Sequence, residues 1–320
     1  MQPIISIVIP CYNYGNYLNE TFGSLIRQSL QLWECILVDN DSTDNTRLVC
    51  ENICKADSRF RYFKIANDGP AKARNFGIER SNGRYIQFLD ADDLLQSEKL
   101  KFHTDVLDNN PEVDLVYGRA RFFTDGNPNT LFYSLNGGME EWIPNYSGEG
   151  KYLIRRLILG NIMPVCSPVF RKSIFGKNGL MDEQLKGYED WDLFLRLAIA
   201  NFRFQFLEAE NTFPLIRSHE KSLSKTPGHM DLFLITVLEK NIFHRGLSIV
   251  NRIFILFRYL QQRSHLISRK IRGVNAMIIH SNHVKRNTLM LLQFLLFVYF
   301  PIYILIEAMK LALRIFGIKI

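Results

Sequence analysis

Residues 4–13 read IISIVIPCYN, a short apolar run of mostly β-branched side chains that ends at Pro10. A run without regular polar alternation is typical of a strand buried on both faces, as in a parallel sheet covered by helices. Similar segments recur at residues 35–38, 60–65 and 85–89, and helical spacing of apolar residues appears at 17–28 and 71–80. This alternation predicts an α/β fold with a mostly parallel, doubly wound sheet flanked by helices.

Polar side chains follow each of these strands at the point where the strand ends. In a doubly wound sheet, ligands bind at the carboxyl ends of the strands. We therefore expect one binding site at this edge, built from residues of four strand ends: Asn13, Asp39, Asn67, Asp68, Asp90, Asp92 and Asp93.

The chain changes character near residue 228. Residues 1–110 carry the alternating pattern, residues 111–228 are less regular, and residues 229–320 are basic, apolar and helical in pattern. The whole chain of 320 residues is 47% hydrophobic, which is enough for a sizeable core. We expect one large domain followed by a helical region that associates with a membrane or mediates oligomerisation.

The positive charge of the chain is concentrated in the C-terminal region. Residues 241–306 contain no Asp or Glu and nine Lys or Arg, whereas the whole chain has a net charge of +7. This local charge favours an anionic partner such as a membrane surface. No nucleic-acid partner is expected, because no helix-turn-helix, zinc-binding or RNA-binding pattern accompanies the charge.

Three alternatives describe how this region relates to a membrane. Residues 249–260 are basic and amphipathic, which favours a helix lying in the headgroup region. Residues 289–306 carry no charge over 18 positions, the lower limit for a transmembrane helix, so a single span is the second alternative. A soluble helical bundle, for example in a homo-oligomer, is the third. Because the N-terminus lacks signal-peptide features, we expect a cytoplasmic protein that is peripheral or C-terminally anchored at the inner face of the cell membrane.

The densest acidic cluster follows the fourth strand, in the segment LDADD at residues 89–93. In extended geometry Asp90 and Asp92 point the same way, and crowded carboxylates favour a bound cation. A divalent ion such as Mn²⁺ or Mg²⁺, held by one or two carboxylates and by substrate phosphates, meets that requirement. The alternative is a helix cap, with Asp92 or Asp93 capping a helix that begins near Leu94.

Further motifs occur in a fixed order over roughly two thirds of the chain. They are SIVIPCYN at residues 6–13, VDNDSTD at 38–44, NDG at 67–69, ARNFG at 73–77, GRYIQFLDADD at 83–93 and GYEDWD at 187–192. With these motifs the sequence resembles family 2 of the glycosyltransferases, which are inverting enzymes with a GT-A-like, Rossmann-like domain. The resemblance implies that residues 1–228 are the catalytic domain, with a nucleotide-binding half at about 1–110 and an acceptor half at about 111–228.

The resemblance also implies a site for a nucleoside-diphosphate sugar. Asp39 is expected to accept hydrogen bonds from the base, or else to cap the helix that follows. The other expected donor-binding residues are Pro10, Tyr12 and Asn13 at the nucleotide, Asp68 and Arg74 at the base and phosphates, and Asp90 near the ribose.

Metal binding is expected mainly at Asp92, with Asp93 in support. The stretch Arg217-Ser218-His219 resembles a looser family motif in which His219 reaches the metal or diphosphate and Arg217 the phosphates. A surface loop is the alternative interpretation of this stretch.

Asp190 is the candidate general base. An inverting transfer is a single displacement, in which the acceptor hydroxyl loses its proton as it attacks the anomeric carbon. Glu189 is expected to orient the acceptor or the base. Alternatively, both acids stabilise the first turn of the helix that follows them.

The resemblance implies an enzyme that transfers a sugar to a hydroxyl acceptor. The expected location at a membrane favours a saccharide or lipid-linked acceptor, in cell-surface polysaccharide or glycolipid synthesis. No Gln-x-x-Arg-Trp stretch of processive synthases occurs, so a single transfer is expected. Asn40 and Pro70 depart from the usual family pattern. The alternatives are a nucleotidyltransferase-like enzyme and a non-catalytic scaffold that binds sugar nucleotides. A dehydrogenase is excluded, because no Gly-x-Gly-x-x-Gly follows the first strand.

Overall fold

The computed structural model describes residues 2–134, 137–219 and 229–280. Contacts along the chain divide it into two compact units, Met1–Lys225 and Thr226–Ile320. The stretch 289–306, for which a membrane span was one alternative, lies outside the described residues.

The first unit alternates strands and helices along its N-terminal half. Its strands are β1 (Ile5–Cys11), β2 (Trp33–Asp39), β3 (Phe60–Lys64), β4 (Tyr85–Phe88), β5 (Leu94–Leu95), β6 (Leu115–Gly118), β7 (Arg121–Thr124), β8 (Asn127–Phe132), β9 (Val169–Arg171), β10 (Phe204–Leu207) and β11 (Pro214–Ser218). Its helices are α1 (Gly15–Ile26), α2 (Thr46–Ala56), α3 (Pro70–Arg80), α4 (Lys99–Asn109), α5 (Lys151–Leu159), α6 (Ser173–Asn178) and α7 (Glu189–Ile199).

A seven-stranded sheet forms the centre of this unit, in the order β10-β6-β9-β4-β1-β2-β3. The strands β4, β1, β2 and β3 are mutually parallel, as are β6 and β10, whereas β9 is antiparallel to both of its neighbours. The predicted α/β fold with a mostly parallel sheet is therefore confirmed. Sequence pattern alone did not reveal the reversed direction of β9.

The central strand β1 is buried on both faces, as its apolar sequence predicts. Ile5, Ile7 and Ile9 belong to the core that also includes side chains of α1 and β2, whereas Val8 points to the other face, towards α3. A Cβ atom at Gly77 would lie 2.2 Å from a methyl group of Val8. Only glycine therefore allows α3 to approach the sheet this closely, and α3 carries Arg74.

A second, four-stranded sheet has the order β5-β11-β7-β8. Strand β5 follows the acidic segment directly and pairs antiparallel with β11, which ends at Ser218. This pairing brings the segment 90–93 next to residues 217–219, although more than 120 residues separate them in the sequence.

The acidic segment itself differs from the expectation. Asp93 donates its backbone N–H to the carbonyl of Asp90 over 3.1 Å, so these residues form a turn rather than an extended strand. The residues after Asp93 form β5, and the next helix begins only at Lys99. The helix-cap alternative for Asp92 and Asp93 is therefore wrong.

The second unit contains α8 (His229–Asn241) and the long helix α9 (Ile249–His280). The helical character predicted for the described part of this region is confirmed. Among the helices that the structure describes, none has the length and hydropathy needed to cross a membrane.

Candidate functional site

Asp92 and His219 form the first contact of the site. The Nε2 atom of His219 lies 2.8 Å from an Oδ atom of Asp92, and both side chains are largely buried. Tyr17 stacks on the imidazole with ring centroids 5.2 Å apart, and Tyr14 meets it edge-on. Burial raises the pKa of Asp92, the negative charge of Asp90 raises it further, and the contact with His219 opposes both. The looser Arg-x-His motif thus lies beside the acidic turn.

Arg217 fastens the second sheet to the acidic turn. Its backbone N–H donates to Asp93 over 2.9 Å and its Nε donates to the carbonyl of Asp92 over 2.8 Å. Its two terminal nitrogens form ion pairs with Asp125 at 2.7 Å and Glu20 at 2.9 Å. The guanidinium of Arg217 therefore holds the acidic turn against Asp125 and Glu20.

Asp93 is fully enclosed beneath the turn. Burial raises its pKa well above the ordinary value of 3.8, and the neighbouring charges of Asp92 and Asp90 raise it further. The hydrogen bond from Arg217 only partly offsets these effects. A buried carboxyl of this kind favours a nearby positive charge or a bound proton.

Arg74 connects the acidic turn to the first turn of α7. One terminal nitrogen donates to Asp90 over 2.7 Å, and the other forms a short ion pair with the buried Glu189. Desolvation opposes the charge of Arg74, but the two carboxylates outweigh it and raise its pKa. The Nε atom of Arg74 is buried and has no hydrogen-bond partner. The predicted donor-site arginine therefore lies between Asp90 and Glu189.

Asp190 follows Glu189 in the first turn of α7. One of its oxygens accepts the backbone N–H of Trp191 over 2.7 Å, and the other accepts the side-chain amide of Asn161 over 3.1 Å. Burial raises the pKa of Asp190 from 3.8 to about 7, and the negative charge of Glu189 contributes to the increase. Carboxyl groups with such a pKa can exchange protons near neutral pH, as general acid–base catalysis requires.

The predicted nucleotide side lies at the ends of β1 and β2. Asp39 is completely buried and accepts hydrogen bonds from the backbone N–H of Ser42 and from the hydroxyl of Tyr62, over 2.8 and 2.7 Å. It does not cap a helix, since α2 begins only at Thr46. Its partners fix the carboxylate orientation at the sheet edge.

Asn13 shapes the adjoining loop. Its backbone has a positive φ of 58°, and its side-chain oxygen accepts the backbone N–H of Thr43 over 2.8 Å. Tyr12 beside it is 46% exposed, and Pro10 lies in β1 opposite Val38. This corner therefore combines a fixed loop with an exposed aromatic ring that a planar base could contact.

Asp68 lies in the exposed loop after β3, and its backbone N–H donates to the side-chain oxygen of Asn40 over 3.3 Å. Its carboxylate pairs with Lys72, which lowers its pKa, and its backbone carbonyl accepts a hydrogen bond from Lys186 over 2.9 Å. Asn40 and Asn67 join the loops after β2 and β3 through a 3.0 Å hydrogen bond. Asn40 departs from the family pattern but has a defined contact here.

A divalent cation is compatible with the donor chemistry of this edge. Within the described residues, no group of three or more acidic, His or Cys side chains is arranged to enclose a metal by itself. Asp92 and His219 nevertheless place a carboxylate and an imidazole side by side, and burial together with the charge of Asp90 raises the pKa of that carboxylate. Two protein ligands completed by diphosphate oxygens and water are a common arrangement for Mg²⁺.

Sequence reasoning missed several residues that complete the site. Tyr62 could have been anticipated, because it lies on the strand next to β2 in a parallel pairing. Nothing in their local sequence pattern distinguishes the other missed partners, which are Glu20, Asp125, Asn161 and Lys186.

Comparisons with known proteins agree with this arrangement. A family model described as glycosyl transferase family 2 matches residues 6–175, just over half of the chain. Glycosyltransferase GlyG of Streptococcus pneumoniae is 28% identical over 193 residues, covering 58% of this chain and 64% of GlyG. The putative teichuronic acid biosynthesis glycosyltransferase TuaG of Bacillus subtilis is 41% identical over 101 residues, covering 31% of this chain and 40% of TuaG. The chain thus spans less than two thirds of the length of these relatives.

Solved structures share the fold at low sequence identity. S. aureus TarS in complex with UDP-GlcNAc superposes with a TM-score of 0.64 at 21% identity, covering 82% of this chain and 72% of TarS. The mannosyltransferase PcManGT of Pyrobaculum calidifontis, in complex with GDP-Man and Mn²⁺, gives 0.63 at 13% identity over 99% of this chain and 88% of its own. These similarities confirm the GT-A-like fold. The family match over more than half of its length shows that the chain belongs to glycosyl transferase family 2.

Proposed function

We propose that the protein is an inverting glycosyltransferase that moves a sugar from a nucleoside-diphosphate sugar to a hydroxyl acceptor in cell-surface polysaccharide or glycolipid synthesis. The observation that carries this proposal is the bridge formed by Arg74. It joins Asp90 of the acidic turn to Glu189, the neighbour of Asp190. A donor bound at the turn would therefore lie next to a carboxyl group whose pKa is about 7.

The donor would occupy the strand ends from Tyr12 to the acidic turn. Asp39 would accept an imide N–H if the base is uracil, with Tyr62 holding its orientation. Pro10, Tyr12 and Asn13 would border the base. Asp68 and Arg74 would lie near the base and phosphates, and Asp90 near the ribose. UDP-GlcNAc bound to TarS and GDP-Man bound to PcManGT support a nucleoside-diphosphate sugar as the donor class. Arg217 would act on the phosphates indirectly, through the turn that it supports.

The transfer would use Asp190 as the general base. The acceptor hydroxyl gives its proton to the Asp190 carboxylate while its oxygen forms a bond to the anomeric carbon. The bond from that carbon to the diphosphate oxygen breaks, and its electron pair leaves with the diphosphate. Inversion follows from this single displacement. Glu189, held by Arg74, would keep the first turn of α7 in place.

Asp92 and His219 would hold a divalent metal, Mn²⁺ or Mg²⁺, with Asp93 in support. When bound, such an ion stabilises the negative charge that develops on the leaving diphosphate. The protein's own part is to present one carboxylate and one imidazole from a turn that Arg217 holds in place. PcManGT in complex with Mn²⁺ supports this assignment.

A thermal-shift panel tests the donor site. Nucleoside diphosphates and nucleotide sugars are added with and without Mn²⁺ to the wild type, to Asp92→Ala and to a control variant, Asp105→Ala, which removes an exposed carboxylate on α4. A ligand that binds the native state raises the unfolding temperature. We expect a metal-dependent shift with one donor that is lost in Asp92→Ala and kept in the control. If folded wild-type protein responds to no nucleotide, the donor assignment is wrong.

Asp190→Asn separates the enzyme from the scaffold alternative. The variant keeps the size and shape of the side chain, but its amide cannot accept the proton of an acceptor. We expect the donor-induced thermal shift to remain and turnover of the donor to be lost. Turnover at the wild-type rate would remove Asp190 from the mechanism, whereas wild-type protein that binds the donor but never turns it over would favour the scaffold.

We also propose that the C-terminal region attaches the protein to the inner face of the cell membrane. One stripe of α9 is apolar and exposed, with Phe257 exposed over 74% of its surface. At 100° per residue the stripe lies opposite the buried Asn251 and Ile255 and is flanked by Arg252 and Arg258. This is the arrangement of a helix that lies in an anionic headgroup layer. The stripe consists of Ile249, Val250, Ile253, Phe254 and Phe257.

Vesicle flotation tests this attachment. The wild type, the double variant Phe254→Ser/Phe257→Ser and a control, Leu48→Ser, are mixed with vesicles of phosphatidylcholine with or without phosphatidylglycerol. Leu48 is also exposed but lies on α2. We expect binding that requires the anionic lipid and falls at least tenfold in the double variant only. Undiminished binding of the double variant would show that the stripe does not contact the membrane. If the double variant instead loses a dimer that the wild type forms in solution, the stripe serves self-association.

A further inference from the structure

Asn161, in the segment between α5 and β9, contacts the candidate base Asp190. Helix α5 ends at Leu159, and two residues later the amide nitrogen of Asn161 donates to Oδ2 of Asp190 over 3.1 Å. None of the sequence motifs includes Asn161. Its contact is therefore a feature that only the three-dimensional arrangement reveals.

The last turn of α5 has a rigid attachment to α7. The indole nitrogen of Trp191 donates to the carbonyl of Leu157 over 2.7 Å, and both side chains are buried. Leu153 and Ile154 add buried apolar surface on the same face of α5. The backbone that carries Asn161 is therefore fixed relative to the helix that carries Asp190.

The orientation of the Asn161 amide is also determined. Its oxygen accepts the backbone N–H of Met163 over 3.4 Å, and Met163 is fully buried. Because this contact uses the oxygen, the nitrogen is the atom that faces Asp190. The side chain can donate to the Asp190 carboxylate but cannot accept a proton from it.

Asp190 is thereby held at both oxygens. Trp191 N–H binds Oδ1 and Asn161 binds Oδ2, so rotation of the carboxylate would break one hydrogen bond or the other. The charged groups that act on Asp190 are Glu189 from its own helix and Arg74 from α3. Asn161 adds a neutral hydrogen-bond donor, which favours the ionised form of the Asp190 carboxyl group that a general base requires.

We propose that Asn161 is a positioning residue for the reaction: it orients the Asp190 carboxylate towards the acceptor hydroxyl and keeps it ionised. This inference rests on the proposed function of Asp190 as the base. Asn161 acts through Asp190 and contacts neither donor nor acceptor in this role.

The test uses the full chain and the donor identified by the thermal-shift panel, with water as the acceptor. Release of the nucleoside diphosphate is measured from pH 5.5 to 9 for the wild type, Asn161→Leu, Asn161→Asp and a control, Asn145→Leu. Asn145 lies in the same irregular region and contacts only Glu208 among the hydrogen bonds found for its side chain. Donor binding is followed separately by thermal shift.

We expect the acidic limb of the kcat profile to move to higher pH in Asn161→Leu, lowering kcat about tenfold at pH 7. Asn161→Asp should move the acidic limb further, because a second carboxylate replaces the amide that donates a hydrogen bond to Asp190. Asn161→Gln, which restores an amide, should recover part of the loss. The control and the donor-induced thermal shift should match the wild type in every case.

A double variant separates this inference from the assignment of the base. In the background of Asp190→Asn, adding Asn161→Leu should cause no further loss of kcat, because the two residues act as one unit. If Asp190→Asn is inactive while Asn161→Leu and Asn161→Asp keep the wild-type pH profile, Asn161 has no positioning role and the base assignment stands. If Asp190→Asn retains wild-type turnover, the base assignment itself fails.

Discussion

Arg74 of α3 and Glu189 of α7 form a buried ion pair although 115 residues separate them in the sequence. The pair ties the motif ARNFG to the motif GYEDWD. Each motif is recognisable by itself, and this contact joins the two in space. Through it, the acidic turn and the first turn of α7 share the guanidinium of Arg74.

Removing the guanidinium of Arg74 should destabilise the protein strongly. Arg74→Met leaves Glu189 buried without a partner, and we expect the free energy of unfolding to fall by about 3 kcal/mol. Adding Glu189→Gln should recover part of the loss, since the buried charge is then absent. Urea unfolding of both variants measures this. Arg47→Met, which breaks an exposed pair with Glu51, is the control and should change the unfolding free energy little.

The raised pKa of Asp190 predicts a specific dependence of stability on pH. Its folded-state pKa is about 7 and its unfolded value about 3.8, so between these values the folded protein binds more protons. Stability contributed by this group is therefore present at low pH and is lost as the pH rises to 7. Asp190→Asn removes the dependence, so the variant should gain stability relative to wild type between pH 5 and 8. A constant difference across urea titrations in this range would contradict the prediction.

Lys99 should show the opposite trend. Its ammonium group is buried beside His103 and the carbonyl of Ser167, and desolvation lowers its pKa from 10.5 to about 7. Between pH 7 and 10.5 the unfolded state binds more protons, so stability should rise with pH. In Lys99→Met this rise should be reduced, as measured by urea unfolding at pH 7, 8 and 9. Lys101 lies two residues further along α4 and its side chain is exposed, so Lys101→Met should keep the wild-type dependence of stability on pH.

The close contact between α3 and β1 predicts the effect of a single methyl group. Gly77→Ala places a Cβ atom 2.2 Å from a Val8 methyl group, which requires α3 or β1 to move. We expect a loss of about 1–3 kcal/mol in unfolding free energy. Val8→Ala should relieve the clash. The loss of unfolding free energy in the double variant should therefore be smaller than the sum of the losses in the two single variants. Strict additivity in a double-mutant cycle would show that α3 shifts freely.

The strand and helix pattern of the N-terminal half could be predicted from sequence because its signals are local. The buried run before Pro10, the helix of Ala73 and Arg74, and the acidic residues after Phe88 all lie where hydrophobic periodicity and polar strand ends indicate. The segments 35–38 and 60–65 likewise correspond to β2 and β3 within a few residues.

The remaining features depend on contacts between distant residues. Arg217 binds the turn at Asp90–Asp93 from β11, and a local pattern cannot contain that information. The same holds for Asn161, whose significance depends on the packing of α5 against α7. Likewise, the direction of β9 follows from which neighbours it pairs with and not from its three residues.

The reversal of β9 determines which part of the chain reaches the rim at which β4 ends. An antiparallel strand enters the sheet where its parallel neighbours leave it, so the segment before Val169 arrives at the same rim as the ends of β4 and β6. Asn161 lies in this segment. An insertion between Leu159 and Val169 would therefore change what borders this rim and the contact between Asn161 and Asp190 at the same time.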